Sequence, residues 1–241
     1  MISSIISANK PLSASDSTIA TFSNQELMKW EAEASGYEKV LQREPDNETA
    51  LRGLLEIRLK QKDLDSAIAP LENLAKLHQE QTEYTILLAQ AKQQIKDYEG
   101  SAAAYRQVLA NRPGDVLALA GITNLFLIQN LPERAIALLK ETIQAATQNN
   151  ESIDVESVEL LLGELYTNQE RYSEAISIYD EIAAANQDDF RPILAKALVL
   201  EKQGDIEAAK PMLDTAYTLA PAAYKDQIGQ EMKRLAESGA S

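Results

Sequence analysis

The chain has 241 residues with no cysteine, nine glycines and eight prolines, and it is rich in Ala, Leu, Glu and Gln. These abundant residues lose little rotamer freedom in a helix, so the composition predicts an all-α protein. The lack of cysteine excludes disulfides, thiolate nucleophiles and cysteine-ligated zinc, and the formal net charge of −14 argues against nucleic acid or an anionic membrane as a partner.

The first residues resemble neither a membrane anchor nor a folded element. Residues 1–23 are rich in Ser, Thr and Ala and show no sustained periodicity, which predicts a flexible lead-in. The stretch MISSIISANKP has a short apolar run and no basic region, so we do not expect a signal peptide. No run of about 18 apolar residues occurs, and we expect no membrane insertion by this chain.

Residues 82–115 carry the pattern around which the rest of the chain is organised. Apolar and small residues recur there every three or four positions in two successive stretches, which predicts two amphipathic helices joined by a turn. Pro113 closes this 34-residue stretch. The inward positions are Leu88, Ala89, Ala91, Ser101, Tyr105 and Val108.

The same pattern recurs on both sides, which predicts a repeat domain over residues 24–237 followed by a tail at 238–241. An extra segment of about six residues at 148–155 interrupts the register, and it either bends the array or forms a second contact surface. In the first helix, Asn24 is the expected cap, and Leu27, Trp30, Tyr37, Val40 and Leu41 are expected to face inward. The predicted units are a half repeat at 24–47, repeats beginning at Glu48, Thr82, Val116, Glu156 and Phe190, and a capping helix at 224–237.

This pattern resembles the tetratricopeptide repeat, which has a period of 34 residues. The small residue of the second helix matches Ala67, Ser101, Ala135, Ala175 and Ala209, and the large residue after it matches Leu71, Tyr105, Leu139, Tyr179 and Leu213. The resemblance implies an all-α, right-handed superhelix of five to six helix-turn-helix repeats with a C-terminal capping helix. Such repeats stack on one another because each pair buries only part of its apolar surface.

Residues 53–77 and 121–143 also resemble the cyanobacterial and chloroplast tetratricopeptide proteins of the slow-green type. That resemblance implies a role in thylakoid or photosynthetic-complex biogenesis. It also implies a cytoplasmic location, or a stromal one in a plastid, with contact to the thylakoid surface through a partner or an anchor outside this sequence.

The sequence gives no sign of catalysis, and we expect no catalytic residues, no metal and no cofactor. His78 is the single histidine, and it is expected to be a solvated residue at the end of a helix. No phosphate-binding glycine motif is present, and the acidic loop around Asp154 lacks the spacing of a calcium site.

The family resemblance implies that the first helix of each pair lines an inner groove. Only Asn124 matches the family's clamp for chaperone C-terminal tails, so such tails are not expected ligands. The predicted partner-binding residues are Arg52, Leu59, Lys60, Ile86, Leu87, Gln90, Gln94, Asn124, Leu127, Ile128, Leu160, Leu161, Asn168, Arg191, Leu194 and Leu198.

The apolar residues of this set suggest that the groove holds a hydrophobic or amphipathic segment of a partner protein, without catalysis. Gln90, Gln94 and Asn124 would bond polar groups of the partner, and the basic residues at the rim would set its orientation. Two alternatives stay open. The leucines pack against neighbouring helices or a terminal segment, or the groove or an end repeat forms a homodimer interface.

Overall fold

The computed structural model describes residues 23–149 and 153–238. Residues 1–22 of the predicted lead-in, residues 150–152 of the extra segment and residues 239–241 of the tail lie outside the described part of the chain.

The described residues form twelve α-helices and no strand, which confirms the all-α class. Helices begin at Glu48, Thr82, Val116 and Phe190, where the sequence places the start of a unit, and at Val155, one residue before the predicted start. The helices are α1 (Asn24–Leu41), α2 (Glu48–Lys60), α3 (Leu64–Leu77), α4 (Thr82–Gln94), α5 (Tyr98–Asn111), α6 (Val116–Ile128), α7 (Pro132–Asn149), α8 (Val155–Asn168), α9 (Tyr172–Ala185), α10 (Phe190–Lys202), α11 (Ile206–Leu219) and α12 (Ala222–Ser238).

The helices fall into two compact units. The N-terminal unit contains α1 to α5 and α6 as far as Leu125. The C-terminal unit begins at Phe126 and contains the end of α6 and α7 to α12.

A residue with left-handed backbone geometry ends the first helix of each pair. Such residues lie 34 positions apart, except that 40 positions separate Asn130 from Glu170, so the extra six residues lie between these two turns. Helix α7 has 18 residues, whereas α3, α5, α9 and α11 have 14 each, so part of the extra segment extends α7 by about one turn. The left-handed residues are Lys62, Lys96, Asn130, Glu170 and Gly204.

Close contacts hold the two helices of a pair together. The Ser101 hydroxyl donates a hydrogen bond of 2.7 Å to the Ala89 carbonyl, which joins α5 to α4. A Cβ on Gly163 of α8 would lie 2.4 Å from the ring of Tyr179 in α9. Tyr179 is 1% exposed, and its ring leaves no room for a larger residue at Gly163.

The first helix differs in part from its prediction. Leu27 and Val40 are 39% and 38% exposed, so the expectation that both face inward is wrong. Fewer residues of α1 are buried than the pattern predicts: Ala34 is its one buried residue, and it packs against Leu54 and Ile57 of α2. The cap is Ser23 rather than Asn24, and Glu26 completes a capping box with it.

A buried arginine joins α1 to α2. The Arg58 guanidinium lies 2.9 Å from Glu31 and 2.7 Å from Glu38, and only 10% of its side chain is exposed. The hydrogen bond from Arg58 lowers the pKa of Glu31. The resulting stabilisation is therefore present above the ordinary value of 4.5 and is lost as the pH falls through the lowered value.

We predict that Arg58→Met destabilises the N-terminal unit by about 1–2 kcal/mol, because the substitution keeps the apolar stem but removes the donors to two carboxylates. Hydrogen exchange should show the largest loss of protection in α1. Arg52→Met on the same helix removes an exposed ion pair and should cost less than about 0.5 kcal/mol. Equal losses in the two variants would contradict this assignment.

Candidate functional site

The first helices of the N-terminal unit leave a stripe of side chains accessible to solvent. On α2, Arg52, Glu56 and Lys60 are exposed at intervals of four residues, with Leu59 half-buried beside them. The opposite side of α2 is occupied by buried residues such as Leu51 and Leu55. This separation is the expected result of packing one face of an amphipathic helix.

Helix α4 continues this arrangement with Leu87, Gln90 and Gln94, which are half-buried or exposed. Ile86 is 5% exposed, so its predicted exposure is wrong. Asn124 on α6 is exposed. We refer to the accessible set as the N-terminal face; it consists of Arg52, Glu56, Leu59, Lys60, Leu87, Gln90, Gln94 and Asn124.

The two leucines of this face are only partly available. Leu59 and Leu87 both pack against the buried cluster that α2, α3 and α4 share around Leu71 and Leu74. The rest of each side chain lies at the surface, so the face combines small apolar areas with amide and charged groups.

Carboxylates already contact the basic residues of the face. Arg52 forms an ion pair with Glu48, and its guanidinium carbon lies 5.6 Å from the centroid of the Tyr84 ring. Lys60 lies 2.6 Å from Glu56. His78 lies at the C-terminal cap of α3, as expected, but it is half-buried with its Nε2 2.9 Å from Glu48 Oε1, so the expectation that it is solvated is wrong.

In the C-terminal unit, most predicted groove leucines are part of the core. Leu160, Leu161 and Leu194 are 0%, 6% and 2% exposed, so their predicted exposure is wrong. Helix α8 contacts α7, α9 and α10, and every residue from 160 to 167 is buried.

The remaining predicted residues of this unit differ in exposure. Asn168 is exposed, Leu127 and Leu198 are half-buried, and Ile128 is 47% exposed. Leu198 packs against the buried cluster of α10, α11 and α12.

Arg191 joins the N-terminal ends of α8 and α10. Its guanidinium donates to the Ser157 hydroxyl at 3.0 Å and to the Asp189 carboxylate at 2.8–3.0 Å. Asp189 is buried, and its bond to Arg191 raises the pKa of that guanidinium. The predicted role of Arg191 in orienting a partner therefore competes with this structural role.

A cleft of about 410 Å³ lies between α7, α8 and α9. The sequence gives no sign of this cleft, because its lining residues come from three helices and form no local motif. We call it the α7–α9 cleft. Its apolar side chains include Ile143, Leu162, Tyr166 and Ile178, and its carboxylates include Glu159 and Glu181.

Glu159 is a half-buried carboxylate of the cleft. Burial raises its pKa, and the neighbouring carboxylates of Glu181 and Glu156 raise it further. Within residues 23–149 and 153–238, no hydrogen bond or ion pair reaches the Glu159 carboxylate.

Two general classes of site are absent from the described part of the chain. No group of three or more His, Asp or Glu side chains there could hold a metal ion. In the same residues, no helix is long and apolar enough to cross a bilayer.

Family models of the tetratricopeptide repeat match residues 34–91, 86–150, 160–192 and 191–222. Together these matches cover well over half of the chain. The chain belongs to the tetratricopeptide repeat family. Members of this family generally mediate protein–protein interaction and assembly, and the fold is a typical non-catalytic interaction scaffold.

Solved structures of other tetratricopeptide proteins share the fold. Yeast Tom70 matches with a TM-score of 0.58 at 13% identity, over 86% of this chain and 43% of Tom70. A tetratricopeptide repeat protein from Parabacteroides merdae ATCC 43184 matches with a TM-score of 0.53 at 16% identity, over 88% of this chain and 84% of that one. PilW, a type IV pilus biogenesis factor, matches with a TM-score of 0.50 at 15% identity, over 79% of this chain and 86% of PilW.

These likenesses show the fold alone, because the identities are low. The chain spans less than half of the length of Tom70. No curated protein matches its sequence significantly.

We predict that Glu159→Gln stabilises this tetratricopeptide protein at neutral pH by a few tenths of a kcal/mol, since solvent screens much of the repulsion between the carboxylates. A raised folded-state pKa favours folding below the ordinary value of 4.5, and this advantage is lost as the pH rises through the raised value. The variant should therefore match the wild type below pH 4.5 and exceed it at neutral pH in urea unfolding.

Glu207→Gln is the control for this prediction, because Glu207 is 87% exposed and contacts Lys210 on its own helix. The control should not stabilise the protein. If both variants gave the same gain, the effect would come from the net charge of the chain rather than from the α7–α9 cleft.

Proposed function

We propose that the chain is a non-catalytic scaffold that binds an amphipathic segment of a partner protein on its N-terminal face. The observation that carries this proposal is the accessible stripe on α2 and α4, in which the half-buried Leu59 and Leu87 lie among exposed polar side chains. A scaffold of this family binds through surfaces that its helix pairs leave uncovered.

The chemistry of the face favours an amphipathic segment over a wholly apolar one. Leu59 and Leu87 offer limited apolar area because both also pack on the core. Gln90, Gln94 and Asn124 carry amide groups that can donate and accept hydrogen bonds. A partner helix with one apolar edge and polar flanks would match both features.

In the C-terminal unit, the proposal retains Leu127, Ile128, Asn168 and Leu198 as accessible or half-accessible positions. Ile128 is the most exposed apolar residue of the predicted set. Leu160, Leu161 and Leu194 are assigned to the core of that unit instead.

A role in photosynthetic-complex or thylakoid biogenesis is a further part of the proposal. It rests on the resemblance of residues 53–77 and 121–143 to slow-green type proteins. The location proposed with it is the cytoplasm or the plastid stroma, with the partner supplying any contact to the thylakoid surface.

Self-association is the second candidate function. Helix α1 exposes Leu27, Met28 and Val40, and Met28 is 75% exposed. Among the described residues, these exposed apolar side chains form an apolar area on α1 that a second copy of the chain could cover.

We predict that Leu87→Asp weakens binding of a partner segment at least tenfold, because it places a charge in the apolar part of the N-terminal face. A peptide selected from a displayed library against the wild type would serve as ligand, with affinity measured by fluorescence anisotropy. Leu77→Asp is the matched control, because Leu77 is 43% exposed at the end of α3, a second helix. Circular dichroism should show that both variants stay helical.

The binding result separates the proposal from its alternatives. Equal affinity of both variants for the peptide would exclude the N-terminal face, and loss of helicity in Leu87→Asp alone would assign Leu87 to the core. Used as bait in a cyanobacterial lysate, the wild type should recover photosynthetic assembly proteins that Leu87→Asp does not. Recovery of such proteins by neither form would remove the photosynthetic part of the proposal.

Self-association predicts that the apparent mass in light scattering rises with protein concentration. Met28→Glu should suppress this rise, because a charge would replace the most exposed apolar side chain of α1. A mass that stays at 26.5 kDa at all concentrations would exclude self-association as the function.

A further inference from the structure

The α7–α9 cleft combines an apolar part with carboxylates that lack a cation. Ile143 of α7 and Ile178 of α9 supply partly exposed apolar surface, and the buried Leu162 and Tyr166 of α8 line the cleft beside them. Glu159 is partly buried in the same cleft, and Glu181 of α9 faces it from the neighbouring helix.

The cations of the cleft are engaged away from these two carboxylates. Lys140 lies with its Nζ 5.8 Å from the centroid of the Tyr166 ring, and its charge acts on Glu174. Glu174 also accepts a hydrogen bond of 2.8 Å from Arg171. These contacts leave the Glu159 side of the cleft without a positive charge among the described residues.

Neutral or like-charged groups surround the remaining carboxylates. Glu181 accepts a hydrogen bond of 3.2 Å from the Ser177 hydroxyl, a neutral donor. Glu159 has Glu181 and Glu156 as its electrostatic neighbours. Placing like charges together in a partly buried site costs free energy that an incoming cation would recover.

We infer that the α7–α9 cleft is a second binding site, separate from the N-terminal face, for a lysine or arginine side chain of a partner protein segment. The methylene stem would lie on the partly exposed Ile143 and Ile178, and the charged end would reach Glu159 and Glu181. Long basic side chains bind in this way because their stems cover apolar surface while their ends stay paired.

The chemistry of the cleft favours a basic side chain over a metal ion. Calcium and magnesium require six or more oxygen ligands in a defined geometry, and the described residues hold no cluster of three acidic or histidine ligands. A bare ion would also leave the apolar surface of Ile143 and Ile178 in contact with water, whereas the stem of a lysine or arginine covers it.

The site can be tested on the full chain with four probe peptides, acetyl-Leu-Xaa-Leu-amide with Lys, Arg, Gln or Glu at Xaa. Methyl-labelled protein reports the position of the probe in NMR spectra through Ile143, Leu162 and Ile178. The Lys and Arg peptides should shift these methyl signals in a saturable way. The Gln and Glu peptides should leave them unchanged at the same concentrations.

Glu159→Gln should weaken binding of the Lys peptide about fivefold or more, and Glu181→Gln should act in the same direction. Glutamine has nearly the same shape as glutamate, so the substitution removes the charge with little change in volume. The methyl spectrum of each variant protein verifies that it is folded. Glu207→Gln changes the net charge equally at an exposed site on α11 and should change the affinity by less than about twofold.

Three outcomes would overturn the inference. The Gln peptide could bind as well as the Lys peptide, or the saturable shifts could map to methyls outside the cleft. The third is an equal loss of affinity in Glu159→Gln and Glu207→Gln, which would mean that the acidic chain attracts cations without a defined site. Because no variant alters the N-terminal face, each result leaves the proposed scaffold function independent of this test.

Discussion

Close approach of the two helices in each pair is the constraint on which the rest of the structure depends. The Ser101 hydroxyl reaches the Ala89 carbonyl at 2.7 Å, and Tyr179 lies directly against Gly163. Such contacts fix which face of a first helix turns towards its own second helix. Only side chains on the remaining surface of that first helix can stay accessible to solvent, so the same contacts also determine which side chains can bind a partner.

The two units use this constraint differently. In the N-terminal unit, α2 and α4 keep an accessible stripe in which Leu59 and Gln90 are half-buried and Lys60 and Gln94 are exposed. In the C-terminal unit, α8 is buried through residues 160–167, so the same repeat positions there contribute to folding. Equivalent positions in a repeat therefore need not share a function.

The sequence predicted the helix pairs well because their determinants are local. Small and large residues at fixed spacing, together with the turn between helices, place the helix starts within one residue at five positions. Exposure was harder to predict for Ile86 and Leu160, since burial depends on neighbours that are distant in sequence. The role of Arg191 was missed for the same reason, because Ser157 lies 34 residues away from it.

Part of the negative charge of the chain has a structural role at the helix ends. Asp63, Asp97 and Asp205 each accept a hydrogen bond from a backbone N–H at the start of a second helix. Such carboxylates stabilise helix ends and favour folding at neutral pH. They contribute to the net charge of −14, and each also caps a helix.

Glu159 differs from these capping residues because its charge opposes folding. The ionised Glu159 carboxylate lowers the stability of the fold, because it is repelled by the carboxylates of Glu181 and Glu156. A cation bound beside these carboxylates would replace the repulsion with attraction. Functional sites are places where natural proteins keep locally unfavourable groups. The contrast between satisfied capping aspartates and the unsatisfied Glu159 therefore points to the α7–α9 cleft, rather than to the acidic surface in general, as the place where the charge of this protein selects a partner.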